Sequence, residues 1–476
     1  MGKLNPKISI TIILILLVIG VAIYANSFKN EFLFDDLTHV VRNAAIRSFG
    51  NIPSVFQHEL TYFSGEEGGK FYRPFESITF MVDYFLWGLE PVGYHITNTL
   101  LHVAVCILLF FLMNSILKDA VLSSFISILY LVHPVHTEAV TYISGRADSI
   151  STFLLLLMII LQCKYWISDK RQEKILYYSS IIILFIAALF TKESALIFPV
   201  LLMFFEYCFR KENSYTSLFN KRTYFYIPFF IVMGAWFLFK NSIVSTEAMV
   251  EDVLPFNMRL VLLPKQIFNY VRLSLFPTDL HMEYRFPFTD TIFKSGYFEP
   301  FIFTAIFLVI IFYLWKKGEN DKNFRIMFFG LGWFLIALFP YLSIVFPLNA
   351  VFSEHWLYIP LIGFLLSVAY FIYNQLGKNK LVRRYIVFLF VAVIGLYSYL
   401  TIKQNMVWKD AFTFYSYTLN YAPYSGKVYN GLALEYIERG DLAKAEELLE
   451  KAVKVEPRYK TAIDNLKTLR KQMGEK

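Results

Sequence analysis

The feature that most constrains this chain is the recurrence of apolar runs long enough to cross a bilayer. About 20 consecutive apolar residues span ~30 Å of hydrocarbon. Eleven candidates punctuate the sequence: 8–25, 94–117, 120–133, 149–164, 175–191, 194–209, 223–240, 297–315, 324–345, 356–374 and 385–402. The third and fourth are short and poorly bounded, which leaves a dipping hairpin as an alternative to two spans. The stretch 261–276 is weaker and reads as re-entrant. Composition agrees, because only 17% of the 476 residues are charged and 57% are apolar. Soluble domains carry ~25% charge, so a soluble multidomain protein and a disordered chain are both excluded. The first run lacks a small-residue cleavage site and reads as a helix rather than a removed signal.

Basic residues set the expected orientation. One set of connections carries Lys3, Lys7, Lys118, Lys164, Lys170, Arg171, Lys174, Arg210, Lys211, Lys221 and Arg222, then Lys316, Lys317, Lys322, Arg325, Lys378, Lys380, Arg383 and Arg384. The opposite short connections hold just Arg146 and Lys192. This alternation predicts an odd number of spans, a cytoplasmic N-terminus and an outer C-terminus. The formal charge of +8 is thus assigned to inner loops and not to a nucleic-acid surface. Cys106, Cys163 and Cys208 all lie in or beside apolar runs, so no disulfide framework is implied.

Two long outer loops result, about 26–93 and 241–296. In the first, Ile52, Val55, Phe56 and Leu60 follow helical spacing. In 75–86, Phe75, Ile78, Val82 and Phe85 share a face while Glu76 and Asp83 lie away from it. Pro74 suits the first turn of that second helix. Both pieces are expected to lie in the outer interface.

After residue 402 the chain turns charged and rich in Ala and Leu. A 34-residue frame starting at Gly426 places Tyr429, Leu432, Ala433, Tyr436, Ala445, Leu449, Ala452 and Pro457 on the positions of a tetratricopeptide unit. Small residues are needed where two helices touch, and Pro ends the second helix. The frame run backwards finds Ala411, Tyr415, Thr418 and Pro423, and forwards Ile463 and Leu466. One full unit flanked by two halves is the expectation.

Charged groups near a membrane are costly unless paired or functional, and here they gather on the outer side. They are Phe34-Asp35-Asp36, Tyr72-Arg73-Pro74, His133 through Glu138, Gly145-Arg146-Ala147-Asp148, Thr191-Lys192-Glu193-Ser194 and Ser353-Glu354-His355. Adjacent carboxylates suit a divalent metal, a general base or a capped turn. Arg73, Arg146 and Lys192 fit a phosphate or pyrophosphate, or else snorkel or pair with Asp148 and Glu193. His133, His136 and Glu138 look like metal ligands. They fit a packing or substrate-contact role better, since Pro134 restricts the residue before it and no HExxH helix is present.

These residues resemble the transmembrane and tetratricopeptide-repeat-containing O-mannosyltransferases, within the multispanning GT-C glycosyltransferases. The most specific strings are His-Pro-Val-His-Thr-Glu-Ala-Val at 133–140 and Gly-Arg-Ala-Asp at 145–148, supported by His95 through His102, Lys192-Glu193 and Glu354 through Pro360. The resemblance implies an outer-facing active site, a polyprenyl-phosphate sugar donor such as dolichyl-phosphate mannose, and Ser or Thr acceptors on proteins. Asp35 matches the family's catalytic base and Asp36 the second acidic residue. Arg73, Arg146 and Lys192 match positive positions of the motifs. His355 stands where many relatives have Arg, and the repeat array is much shorter than in animal relatives. Size and composition suggest a prokaryotic member, with undecaprenyl phosphate as a candidate carrier and a sugar that need not be mannose.

The combined expectation is an all-α, polytopic GT-C-like domain over 1–402 with about eleven spans, followed by an extracytoplasmic tetratricopeptide domain over 403–476. The site expected from sequence has Asp35 and Asp36 as catalytic residues. Arg73, His133, His136, Glu138, Arg146, Asp148, Lys192, Glu193, Glu354 and His355 contact substrate. No metal is expected to be essential. Expected partners are the lipid-linked sugar, a protein acceptor or outer partner reached through the repeats, and membrane lipids in the plasma (inner) membrane, with no nucleic acid. Three rivals stay open: the same chemistry on a lipid or surface glycan, a non-catalytic scaffold, and a lipid-linked sugar transporter.

Overall fold

The computed structural model describes residues 5–65, 71–210, 223–244, 255–286, 296–344 and 350–474, with 291, 293 and 348. Lys3, Lys211, Lys221 and Arg222 of the inner basic set lie outside the described residues. Regular structure among the described residues is wholly helical. Eight helices there are long and apolar enough to cross a membrane: Pro6–Ser27, Pro91–Leu117, Ile143–Ile167, Arg171–Leu189, Tyr224–Ile243, Phe298–Gly318, Lys322–Tyr341 and Lys380–Trp408. The chain is a multi-pass membrane protein.

The remaining three of the eleven runs depart from simple spans, each for a local reason. Ala120–Leu131 and Pro134–Val140 form a pair bent by 49°. Pro134 pushes His133 to an extended ψ of 124° and cannot donate a backbone bond. The carbonyls freed at the break are caught by distant side chains: Leu131 O by His102 Nε2 at 3.1 Å and Val132 O by Thr401 Oγ1 at 2.7 Å. Such capture is what permits a break at membrane depth. The run 194–209 spends its first residues in the turn Glu193–Ile197, leaving a helix of 12 residues, Phe198–Phe209. The run 356–374 likewise starts in a short turn, and its helix is Pro360–Tyr370. The weak stretch 261–276 is a helix, Phe256–Leu275, packed along Phe298–Gly318.

The tightest helix contact joins Lys322–Leu338 to Pro360–Tyr370. A Cβ on Gly363 would fall 2.3 Å from Gly330 O, and one on Gly330 would fall 2.5 Å from Gly363 O. Lipid supplies no hydrophobic drive between helices, so close backbone approach and polar links hold them. Ser367 Oγ donates to Met327 O at 3.0 Å, and Trp333 Nε1 donates to Ile359 O at 3.0 Å.

The first outer loop is tied to both ends of the membrane domain. Asn405 Nδ2 donates to Ile23 O at 3.0 Å, its carbonyl accepts from Asn30 Nδ2 at 3.0 Å, and its Oδ1 accepts from Thr141 at 2.7 Å. The predicted amphipathic piece at 52–60 shortens to Ile52–Val55 and does not lie on the surface. Val55 and Leu60 are buried instead, Val55 in a small core with Val40, Ile46, Phe80 and Met81. The second piece forms Pro74–Trp87 with Pro74 in its first turn. Val82, Phe85 and Leu86 face outward, Phe85 at 73% exposure, while Glu76 and Asp83 are buried. This is the reverse of the pattern of a soluble amphipathic helix, and it agrees with the interfacial position expected from the sequence.

At the C-terminus, Ala411–Leu419, Gly426–Glu438, Leu442–Val455 and Lys460–Met473 pack in sequence order. Ala433, Ala445 and Leu449 sit in their shared core, and Gly431 lets the Tyr415 ring approach a missing Cβ to 2.4 Å. The tetratricopeptide assignment itself rests on the sequence spacing. All three cysteines are free.

Forcing the glycine contact apart tests this packing. Gly363→Val is expected to cost about 1–3 kcal/mol by overpacking and to lower the apparent Tm in detergent. Gly395→Val, whose Cβ meets nothing within 4 Å, is expected to leave Tm unchanged.

Candidate active site

Asp35 and Asp36 sit on a sharp turn, and the turn gives them opposite environments. Phe34 takes a left-handed φ of 52°, unusual for a large side chain. Asp36 points inward: its Oδ1 accepts from Ser144 N at 2.8 Å and Ser144 Oγ at 2.6 Å, and its Oδ2 accepts from Leu33 N at 3.0 Å. Burial pushes its carboxyl up to about 7, against the opposing pull of those hydrogen bonds. Asp36 is therefore a buried clasp between the first loop and the segment 143–145. The segment itself packs on the backbone of 138–139, where a Cβ on Gly145 would lie 2.3 Å from Glu138 O. Asp35 stays half-buried, with its amide donating to Tyr142 Oη at 3.2 Å.

The expected phosphate-binding cations are paired inside the protein. Arg146 is fully buried, with Nη2 2.6 Å from Asp83 Oδ2 and its guanidinium 4.3 Å from the Phe80 ring centre. Asp83 also accepts from Thr97 Oγ1 at 2.7 Å. Lys192 Nζ lies 2.6 Å from Asp148 Oδ1, both buried. Arg73 reaches Glu193 Oε2 at 3.3 Å through Nε and Nη2, and Glu76 at 3.6 Å through Nη1. Lys240 adds a 3.7 Å contact to Glu193. Burial works to raise Glu193, but Arg73 and Lys240 hold it below the usual carboxylate range. Glu76 goes the other way. Burial outweighs Arg73, Arg146 and Lys192 and pushes it up to about 7. The pairing of Lys192 with Asp148 and of Arg73 with Glu193 is the bland alternative the sequence left open. Arg146 and Lys192 keep no face open to a ligand here.

The histidine string separates into three unrelated contacts, which is why it does not read as a metal centre. His133 meets Ser274 O at 3.3 Å. His136 is buried among the rings of Tyr130, Tyr358 and His102, at 4.3, 4.7 and 5.2 Å between centroids. Glu138 turns to the loop before Pro360–Tyr370, accepting from Ser353 Oγ at 2.9 Å and His355 N at 2.9 Å, with His355 Nδ1 at 2.8 Å. Glu354 is buried and accepts from His281 N at 2.6 Å and Tyr284 Oη at 2.5 Å; burial, then Glu138, raise its carboxyl well above the ordinary range.

Of the residues expected from sequence, Asp35, Arg73, Glu193 and His355 keep some exposure, and the others are buried. Of these four, Asp35 is the one carboxylate with no ion pair among the described residues. Sequence reasoning missed Tyr142 and Ser144 as partners of the acidic pair. It placed Glu76 and Asp83 on a polar helix face without seeing that this face is buried.

No protein-family model matches the chain. Curated relatives do, over most of its length. It is 25% identical over 457 residues to Protein O-mannosyl-transferase TMTC3 of Homo sapiens, covering 88% of this chain and 49% of that protein. A Protein O-mannosyl-transferase of Caenorhabditis elegans is 25% identical, over 94% of this chain and 63% of its own length. Protein O-mannosyl-transferase TMTC4 of Homo sapiens is 22% identical, with 90% and 64% covered. The chain thus spans between half and two thirds of these relatives. The resemblance drawn from the motifs is borne out by these similarities. Among solved structures, ArnT from Cupriavidus metallidurans bound to undecaprenyl phosphate aligns over 93% of this chain and 75% of that one, at 13% identity and a TM-score of 0.45.

Two tests follow from the buried charges. Asp148→Asn strands Lys192 and is expected to cost about 3–5 kcal/mol, whereas Asp148→Leu with Lys192→Met recovers most of the loss; thermal melts in detergent compare them. Asp36 and Glu76 both hold protons in the folded state up to about 7, well above unfolded carboxylates at about 4. Their contribution is full below the unfolded values and is lost as pH rises through 7. Apparent Tm should fall between about pH 5 and pH 8, and Glu76→Gln should flatten that fall.

Proposed function

We propose that this chain is a membrane glycosyltransferase that moves a sugar, with mannose the expected one, from a polyprenyl-phosphate donor to Ser or Thr hydroxyls of extracytoplasmic proteins. The observation that carries this reading is the state of Asp35. It is the unpaired, half-exposed carboxylate on a turn whose neighbours are all fixed. Similarity to proteins named O-mannosyl-transferases over most of the chain supports the reaction class.

In the proposed reaction Asp35 takes the proton from the acceptor hydroxyl as its oxygen attacks the anomeric carbon. The new C–O bond forms on the face opposite the breaking C–O bond, so configuration inverts. The phosphate departs with the bonding electron pair, already ionised, and needs no general acid. No metal is required by this route. Arg73 and His355 are the expected phosphate contacts with an open face. We add Arg272, half-buried without an ion pair among the described residues, whose charge acts on Glu354. The donor's tail would lie in the bilayer, and holding it beside the acceptor supplies the proximity term.

On this reading the protein sits in the plasma membrane, its N-terminus cytoplasmic and its site and C-terminal repeats outside, as the basic loops require.

Membranes carrying wild type or Asp35→Asn, given radiolabelled polyprenyl-phosphate sugars and periplasmic extract, test it. Wild type should label a protein fraction, and Asp35→Asn should lose at least about a hundredfold in rate with Tm unchanged. Label moving only to lipid or glycan overturns the protein acceptor. Absence of any Asp35-dependent transfer across the donor panel, with the protein folded, favours the scaffold.

A further inference from the structure

Three pieces distant in sequence meet at Asp35. The first is its own turn, closed by the left-handed Phe34 and by the Asp36 clasp to Ser144. The second is Tyr142, just before that clasp. Its hydroxyl accepts from the Asp35 amide at 3.2 Å. Burial, and then the Asp35 and Asp36 charges, push its phenol up. The third is the end of the span Lys380–Trp408, against which Phe414 of the first array helix packs. Trp408 stacks on the Tyr142 ring at 5.2 Å and 22° and rests on Phe414 at 4.8 Å. Further along, Lys427 stands over the Phe34 ring at 4.4 Å.

This arrangement has a directional logic. A carboxylate acting as base must meet the incoming hydroxyl from a fixed direction, and a turn free to shift spreads it over many. A phenol that accepts from the Asp35 amide fixes the turn from which the carboxylate reaches out. The phenol is fixed in turn only if its ring cannot swing, and the indole of Trp408 closes the open side of that ring. Preorganised support of this kind separates a site that is merely present from one that works.

We propose that Tyr142 is a positioning residue for Asp35, locked by Trp408, and that the C-terminal array is through this contact a working part of the site rather than a separable appendage. The inference rests on Asp35 being the base. It assigns the short array a role that needs no peptide groove.

The test uses full-length protein in the Asp35 transfer assay, with Tyr142→Phe, Trp408→Ala, Trp408→Phe and the double variant Tyr142→Phe/Trp408→Ala. Tyr142→Phe is expected to lower kcat about tenfold with the donor KM unchanged. Trp408→Ala should do the same, and Trp408→Phe, which keeps a stacking ring, should restore most of the rate. The double variant should lose no more than the worse single, because both break one linkage. Wild-type kcat in Tyr142→Phe, or a double loss equal to the product of the singles, overturns the inference. Should Trp408→Ala fail to fold, Tyr142→Phe and Trp408→Phe still decide it. Activity that survives Asp35→Asn sinks the proposed base and this inference together; activity lost in Asp35→Asn but full in Tyr142→Phe sinks the inference alone.

Discussion

Charge buried in a membrane protein must be neutralised from within, and the end of this molecule that carries the site is organised around that requirement. Arg146 has no water to reach, so Asp83 meets it at 2.6 Å; Lys192 and Asp148 solve the same problem at the same distance. Each pair is also a structural link. Asp83–Arg146 fastens the interfacial helix Pro74–Trp87 to the start of Ile143–Ile167, and Lys192–Asp148 fastens that same helix to the turn before Phe198–Phe209. Removing one member leaves an uncompensated charge, which is why such pairs are costly to break even when they add little net stability.

The inverted helix Pro74–Trp87 follows from the same constraint. Its apolar residues face outward, a pattern suited to lipid rather than water, and its carboxylates face inward toward Arg73 and Arg146. The first loop thereby becomes a rigid lining. Asp36 clasps Ser144, Asn30 latches to Asn405, and the chain between them is closed by the left-handed Phe34. Against this background of paired charges, Asp35 stands apart, half-buried, its amide on Tyr142 and its carbonyl on Thr38 and His39.

Much of this was legible in the sequence where the governing rule is local. Apolar length marked the long helices, and Pro74 with the spacing after it marked the interfacial helix. Asp35 stood out from its motif. Runs of apolar residues count hydrophobicity and not helix, so 194–209 and 356–374 read as spans although short turns take their first residues. The sequence offered Asp148 as one possible partner of Lys192, but it did not point to Asp83 for Arg146, which lies 63 positions away and is brought near only by packing. The stacking of Tyr142 on Trp408 crosses a still longer stretch of chain, and neither residue carries a motif that would announce it.

A structure of the protein in lipid nanodiscs with a non-hydrolysable polyprenyl-phosphonate sugar tests the account most directly. The account predicts the anomeric carbon facing the Asp35 carboxylate across the space for the acceptor hydroxyl, with the Asp83–Arg146 and Asp148–Lys192 pairs intact. A phosphonate seated on Arg146 or Lys192, with those pairs broken and Asp35 turned away, would contradict it.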